Sequence, residues 1–109
     1  MKRVLTRFRW LIPALVVLAL AVRLFGLNFD QSNHFHPDER RIAEAVTQLS
    51  LRPVQLNPHF FAYGSLPIYV TGLASAALSV FSAWFSSYDG AILVGRVLSA
   101  LWGAATVLL

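Results

Sequence analysis

The sequence predicts an all-α, polytopic membrane protein with three transmembrane helices and an amphipathic juxtamembrane helix in the first extracytoplasmic loop. Three observations carry that prediction. Of 109 residues, 57% are hydrophobic and 13% charged, and the mean hydropathy is +0.62, which is too apolar for an ordinary soluble domain. Three apolar runs, at about 10–27, 66–85 and 91–109, each approach the roughly 20 residues a helix needs to cross hydrocarbon. Between the first two lies a polar stretch, 28–64, whose centre reads HFHPDERRIAEAVTQLSL. The chain has no cysteine, which excludes a disulfide framework and thiolate zinc sites and leaves the redox compartment open. Its net charge of +4 is not a nucleic-acid footprint, because the basic residues do not gather beside exposed aromatics.

Lys2, Arg3, Arg7 and Arg9 precede the first run and read as a cytoplasmic anchor. They put the N-terminus inside and residues 28–64 outside. Trp10–Leu27 would rise about 27 Å as a helix, with Pro13 tolerated in its first turn. Arg23, near the far end, is expected to snorkel toward the headgroups, the alternative being an arginine that faces an aqueous cleft. Ala19-Leu20-Ala21 after a basic start also fits a cleavable signal. The apolar run continues through Leu24, Phe25 and Leu27, however, so retention as a span is expected. The run 66–85 carries no formal charge, and Thr71, Ser75, Ser79 and Ser82 place small polar groups on one face for helix packing. Ser86–Gly90 is expected as a short cytoplasmic turn. In the third run Gly95, Ser99 and Gly103 have small-xxx-small spacing, and Arg96 is expected near its cytoplasmic start. The apolar finish at Thr106-Val107-Leu108-Leu109 suggests a fragment of a longer, multi-pass protein of the plasma (inner) membrane.

The loop holds the chemistry-bearing residues. Its basic residues Arg40, Arg41 and Arg52 are balanced by Asp30, Asp38, Glu39 and Glu44, as a translocated loop permits. Pro37 suits the first position of a helix, predicted over about 37–51, and Asp38 and Glu39 then occupy the first turn. At about 100° per residue Asp38, Ile42, Ala45 and Leu49 fall on one line, with Glu39 and Val46 beside it and Arg40, Arg41, Glu44, Thr47 and Gln48 opposite. A carboxylate thus interrupts the apolar face. It either serves the helix start, worth about 0.3–1 kcal/mol, or faces a protected cavity where desolvation would raise its pKa and let it act as a base. Arg52-Pro53 and Asn57-Pro58 are breaks. The aromatic cluster His59, Phe60, Phe61 and Tyr63 that follows is either an interface anchor or the lining of a lipid or sugar site.

Asp38-Glu39 within HPDE after the first span, the amphipathic helix, and NPHFFAYGSLPIY at the second span together resemble the first transmembrane–loop–transmembrane module of the GT-C glycosyltransferases. The closest branch is the protein O-mannosyltransferase-like group, glycosyltransferase family 39, with its aminoarabinose-transferase relatives. GRVLSALWGAATVLL resembles that branch's third span. The resemblance covers nearly the whole chain but only the N-terminal portion of such an enzyme, so these 109 residues are expected to be inactive alone. It implies a polyprenyl-phosphate-linked sugar donor, an acceptor hydroxyl of unspecified origin, and inversion. Asp38 would be the catalytic base, with Glu39 supporting it or orienting the acceptor. Positive charge is needed near the departing phosphate, for which Arg23, Arg40, Arg41 and Arg96 are candidates. The substrate-binding residues expected on this basis are His36, Arg40, Arg41 and Tyr63. Many relatives have two prolines after the aromatic-tyrosine pair, where this chain has Tyr63-Gly64-Ser65-Leu66-Pro67, a departure that bears on the loop shape.

Rival readings use the same residues. His34, His36, Asp38 and Glu39 are a donor set for a divalent metal, although no metal ligand is assigned. His36-Pro37-Asp38 is the tripeptide of J-domain co-chaperones, but those motifs join soluble, heavily charged helices. The competing class is a non-catalytic membrane protein whose loop helix binds a partner or the lipid surface.

Overall fold

The computed structural model describes residues 8–31, 33–51 and 53–109. The basic residues Lys2, Arg3 and Arg7 of the expected anchor, and Arg52 at the expected break, lie outside them. In chain order the elements are α1 (Leu11–Leu24), α2 (Pro37–Thr47), β1 (Ser50–Leu51), β2 (Val54–Gln55), α3 (Leu66–Leu78), a 3-10 turn (Ala83–Ser86), α4 (Tyr88–Ala105) and a closing 3-10 turn (Thr106–Leu108). The chain is mostly helical, as its apolar periodicity predicts. It divides into two units, residues 1–27 with 97–109 and residues 28–96, and α4 contributes to both.

The second unit is built on α2. Pro37 opens the helix, with His36 as an extended N-cap and Asp38 and Glu39 in the first turn, as expected from proline's preset φ. Its buried side chains Ala43, Ala45 and Val46 pack with Ile68 of α3 and Ala91 and Ile92 of α4, flanked by Ile42, Leu49, Phe60 and Tyr88. Small residues set the approach of the helices. A Cβ on Gly72 would lie 2.9 Å from Leu49 Cδ1, and one on Gly95 would meet the methyl of Thr71 at 3.9 Å. Thr71 and Ser75 are buried, so that part of the predicted polar stripe packs as expected.

Two predicted boundaries move. The helix expected to reach residue 51 stops at Thr47, and the chain reverses so that Ser50 pairs with Gln55 and Leu51 with Val54 in an antiparallel ladder. Thr47 Oγ1 donates to Glu44 O at 2.7 Å, a local side-chain bond of the kind that competes with helix continuation. The apolar run 66–85 is helical only to Leu78. There Ser79 Oγ donates to Ala76 O at 2.6 Å, Ser82 is extended, and its hydroxyl accepts from Trp84 N to start the 3-10 turn. Hydroxyls that read as a packing stripe thus also end the helix.

The 3-10 turn fits tightly against the start of α4. A Cβ on Gly90 would run into Trp84 O and come within 2.8–2.9 Å of the Phe85 backbone. Backbone cannot yield as a side-chain end can, so Gly90→Ala should destabilise the second unit by about 1–3 kcal/mol. A fall in the near-ultraviolet circular-dichroism melting temperature checks this, and an unchanged melt would contradict the tight turn.

In the first unit α1 buries none of its side chains and packs against the closing 3-10 turn. Arg23 Nη1 donates to Ala19 O, one turn back, at 3.3 Å. A Cβ on Gly103 would lie 3.0 Å from Arg23 Cδ and 3.2 Å from its Cζ, so the glycine makes room for the arginine. Tyr88–Leu108, 21 residues, is the one helix among the described residues that is long and apolar enough to cross a membrane, while Leu11–Leu24 and Leu66–Leu78 are shorter apolar helices.

Candidate active site

Consecutive residues on a helix point about 100° apart, and the two acids of α2 use that difference. Asp38 is exposed and accepts a hydrogen bond from the Tyr63 hydroxyl at 2.6 Å. Glu39 turns inward, its side chain 31% exposed, and takes the guanidinium of Arg96. Arg96 Nη2 donates to Glu39 Oε2 at 2.7 Å, and Arg96 Nε donates to Oε1 and Oε2 at 3.1 and 3.2 Å. The same guanidinium donates to Asp30, from Nη1 to Oδ1 at 3.2 Å and from Nη2 to Oδ2 at 2.8 Å. The Asp30 side chain is 0% exposed and that of Arg96 9%. The Phe29 ring lies 5.0 Å from the guanidinium carbon, a cation–π contact. One planar cation therefore holds two carboxylates from the loop, a task its fork of donors suits and a lysine's point charge does not.

This differs from the sequence reading in three ways. The acid turned inward is Glu39, not Asp38: the covered arc runs through Glu39, Ile42, Ala43, Ala45 and Val46, and Asp38 lies at its exposed end. The expected sheltered cavity around Asp38 is replaced by an exposed carboxylate held by a phenol. Arg96, expected near the cytoplasmic start of the third run, reaches the loop's acids, and Asp89, expected in the cytoplasmic turn, reaches the loop's His34, whose Nε2 meets Asp89 Oδ1 at 2.5 Å. Asp30, which the sequence marks only as one of four loop acids, is the second carboxylate on Arg96.

The other expected residues separate. His36 and Arg40 are exposed. Arg41 Nη1 lies 3.4 Å from Glu44 Oε2, both side chains more than half exposed, an arrangement worth at most about 1 kcal/mol. Arg23 belongs to the first unit. His34, His36, Asp38 and Glu39 each face a different partner or solvent, and among the described residues no three His, Asp or Glu converge as a metal site.

Tyr63 stands beside Asp38, its ring edge-on to Phe60 at 5.6 Å between centroids. Its pKa is raised above 10.0, first by the bond it donates to Asp38, then by that carboxylate's charge and by slight desolvation, with Arg41 opposing. A raised folded-state value means the tether is complete below the phenol's ordinary value and is lost as pH rises through the raised one. Phenolate difference absorbance between the native chain and Tyr63→Phe should show this titration above 10.0. Asp38→Asn should bring it down, and no movement would deny the contact.

Chemically, Asp38 Oδ1 is engaged by Tyr63, leaving Oδ2 with open lone pairs on an accessible carboxylate. Glu39, the next residue, is fixed to Arg96. An anchored neighbour and a phenol tether orient a carboxylate that can take a proton from an incoming hydroxyl. Set against protein families, curated proteins and solved structures, the chain has no match.

Proposed function

We propose that the chain belongs to a membrane glycosyltransferase of the GT-C type that moves a sugar from a polyprenyl-phosphate donor to an acceptor hydroxyl with inversion. The observation that carries this reading is the exposed Asp38 carboxylate, tethered by Tyr63 and adjacent to a Glu39 locked on Arg96. The acceptor O–H would give its proton to Asp38 as its oxygen bonds to the anomeric carbon. The bond from that carbon to the phosphate oxygen breaks, and the phosphate leaves with the electron pair. Attack opposite the leaving group inverts the centre.

A bilayer setting is supported by α1, an apolar helix that exposes Ile12, Leu15, Val17, Leu18 and Val22 and would be a severe aggregation liability in water. On this reading α4 crosses the membrane, and α1 crosses with the apolar residues that flank it. The run 66–85 is continuous helix only through the 13 residues of α3, after which hydroxyl-capped turns break it. Arg96 and Asp89 also meet Asp30, Glu39 and His34 of the loop. We therefore count α3 as a half-length helix on the loop's side and the crossings as two. N-terminus inside and loop outside remain the orientation, in a plasma (inner) membrane.

The test is transfer from labelled polyprenyl-phosphate sugar by membranes carrying the complete gene product, native against Asp38→Asn. Absence of transfer by the native protein would favour the second reading, a non-catalytic membrane protein. That reading draws on the exposed, basic outer face of α2 around Arg40 and Arg41, which suits a partner or the lipid surface.

A further inference from the structure

A cavity of about 140 Å³ opens beside the start of α4, lined by Asn28, His34, Trp84, Asp89, Ile92, Leu93 and Arg96. That is room for about four or five waters at about 30 Å³ each, or for one small ring entering from the open side. We propose that this cavity binds a neutral, hydroxyl-rich pyranose ring. The proposal deepens the transferase reading and rests on it for the origin of the sugar.

Four features select that chemistry. Trp84, half exposed, offers an aromatic wall on which the C–H face of a pyranose stacks, and Ile92 and Leu93 add an aliphatic surface. Around them stand hydrogen-bonding groups of mixed kind: the Asn28 amide donates and accepts, and Asp89 accepts. A few placed polar groups on a largely apolar lining is the ordinary make-up of a small-molecule site.

His34 is the third feature. Its Nε2 meets Asp89 Oδ1, and its Nδ1 is buried without a hydrogen-bond partner. Its backbone sits at φ +54°, a left-handed conformation that costs about 1–3 kcal/mol and persists where surroundings enforce it. Here the Asp89 bond and the edge of Tyr88, at 5.3 Å between centroids, enforce it. Leaving such an atom unpaired costs about 1–3 kcal/mol, and a ring hydroxyl, which can both donate and accept, would satisfy it once a small turn of the imidazole brings it to the cavity.

The fourth feature excludes an anion. The guanidinium in the lining, Arg96, is already held by Asp30 and Glu39, and His34 is turned to Asp89, so no uncommitted positive charge faces a phosphate.

The test places the chain in phosphatidylcholine nanodiscs with methyl α-D-glucopyranoside and methyl α-D-mannopyranoside as probes, followed by saturation-transfer NMR. Saturation should reach the ring protons of at least one hexoside. Its binding should weaken about tenfold, the equivalent of one lost anchor, in both Trp84→Ala and Asn28→Ala. Asn28 is exposed and its side chain makes no bond among the described residues, so its variant separates binding from folding. Competition by a polyprenyl-phosphate hexose would assign the ring to the donor, and binding without competition would assign it to a glycan acceptor. No transfer to either hexoside, unchanged binding in Asn28→Ala, or displacement by inorganic phosphate would overturn the proposal. Sugar transfer by the complete gene product is measured separately. Hexoside binding without transfer keeps the cavity and removes the transferase; transfer without hexoside binding does the reverse.

Discussion

In membranes carrying the complete gene product, Asp38→Asn should lower sugar transfer by about 10²–10⁴-fold, the usual worth of a general base, while the protein inserts and folds as before. The substitution is chosen for what it keeps. Asparagine has the same shape, and its carbonyl can still accept the Tyr63 hydroxyl bond that Asp38 Oδ1 accepts at 2.6 Å. What it lacks is a lone pair basic enough to take the acceptor's proton. The loss should therefore fall on kcat, with KM for the lipid donor little changed. Glu39→Gln provides the contrast. It removes the charge that faces Arg96 while Asp30 still holds the guanidinium, so it should act more on stability than on turnover. Native-like turnover by Asp38→Asn would remove Asp38 from the chemistry.

The largest effect on stability is expected at Arg96. Arg96→Met leaves the Asp30 carboxylate, wholly shielded, without the guanidinium that grips both of its oxygens. Breaking a buried pair from one side costs about 3–5 kcal/mol, enough to unfold many marginally stable domains. Removing both charges is a different matter. Arg96→Met combined with Asp30→Asn should recover much of the loss, because no unpaired charge then stays buried. Arg96→Lys should fall between, since an ammonium cannot form parallel bonds to two carboxylates at once. Thermal melts of the four proteins in nanodiscs measure this. A single mutant as stable as the native chain, or a double mutant no better than the single, would show that the ion cluster does not hold the second unit together.

The helical class was legible because the apolar runs and the Pro37 start are local signals. So was the identity of the residues at the loop helix start, where HPDE in front of an amphipathic run marks a first turn. Which of the two acids turns inward was not legible. That choice is set by Arg96, 57 positions away, and no local period reports a distant guanidinium. The length of α3 was obscured for a related reason. Ser79 and Ser82 look alike to a hydropathy window, but their hydroxyls bond back to Ala76 O and forward to Trp84 N, and a window sees neither bond. Asp30 hid in plain view as one of four loop acids balancing three bases, and only its complete shielding marks it out. The pairing of His34 with Asp89, 55 positions apart, likewise had no trace in spacing.

Asp38 and Glu39 carry equal charge, but they differ in reach, and each position needs its own. An aspartate at 39 would be one methylene too short to grip Arg96 as Glu39 does, and a glutamate at 38 would press its extra carbon toward the Tyr63 hydroxyl. The transposed pair, Asp38→Glu with Glu39→Asp, has the same composition, the same pI and the same helix-start electrostatics. It should nevertheless behave as a double lesion, because the order of the two acids along the chain carries information that their sum does not.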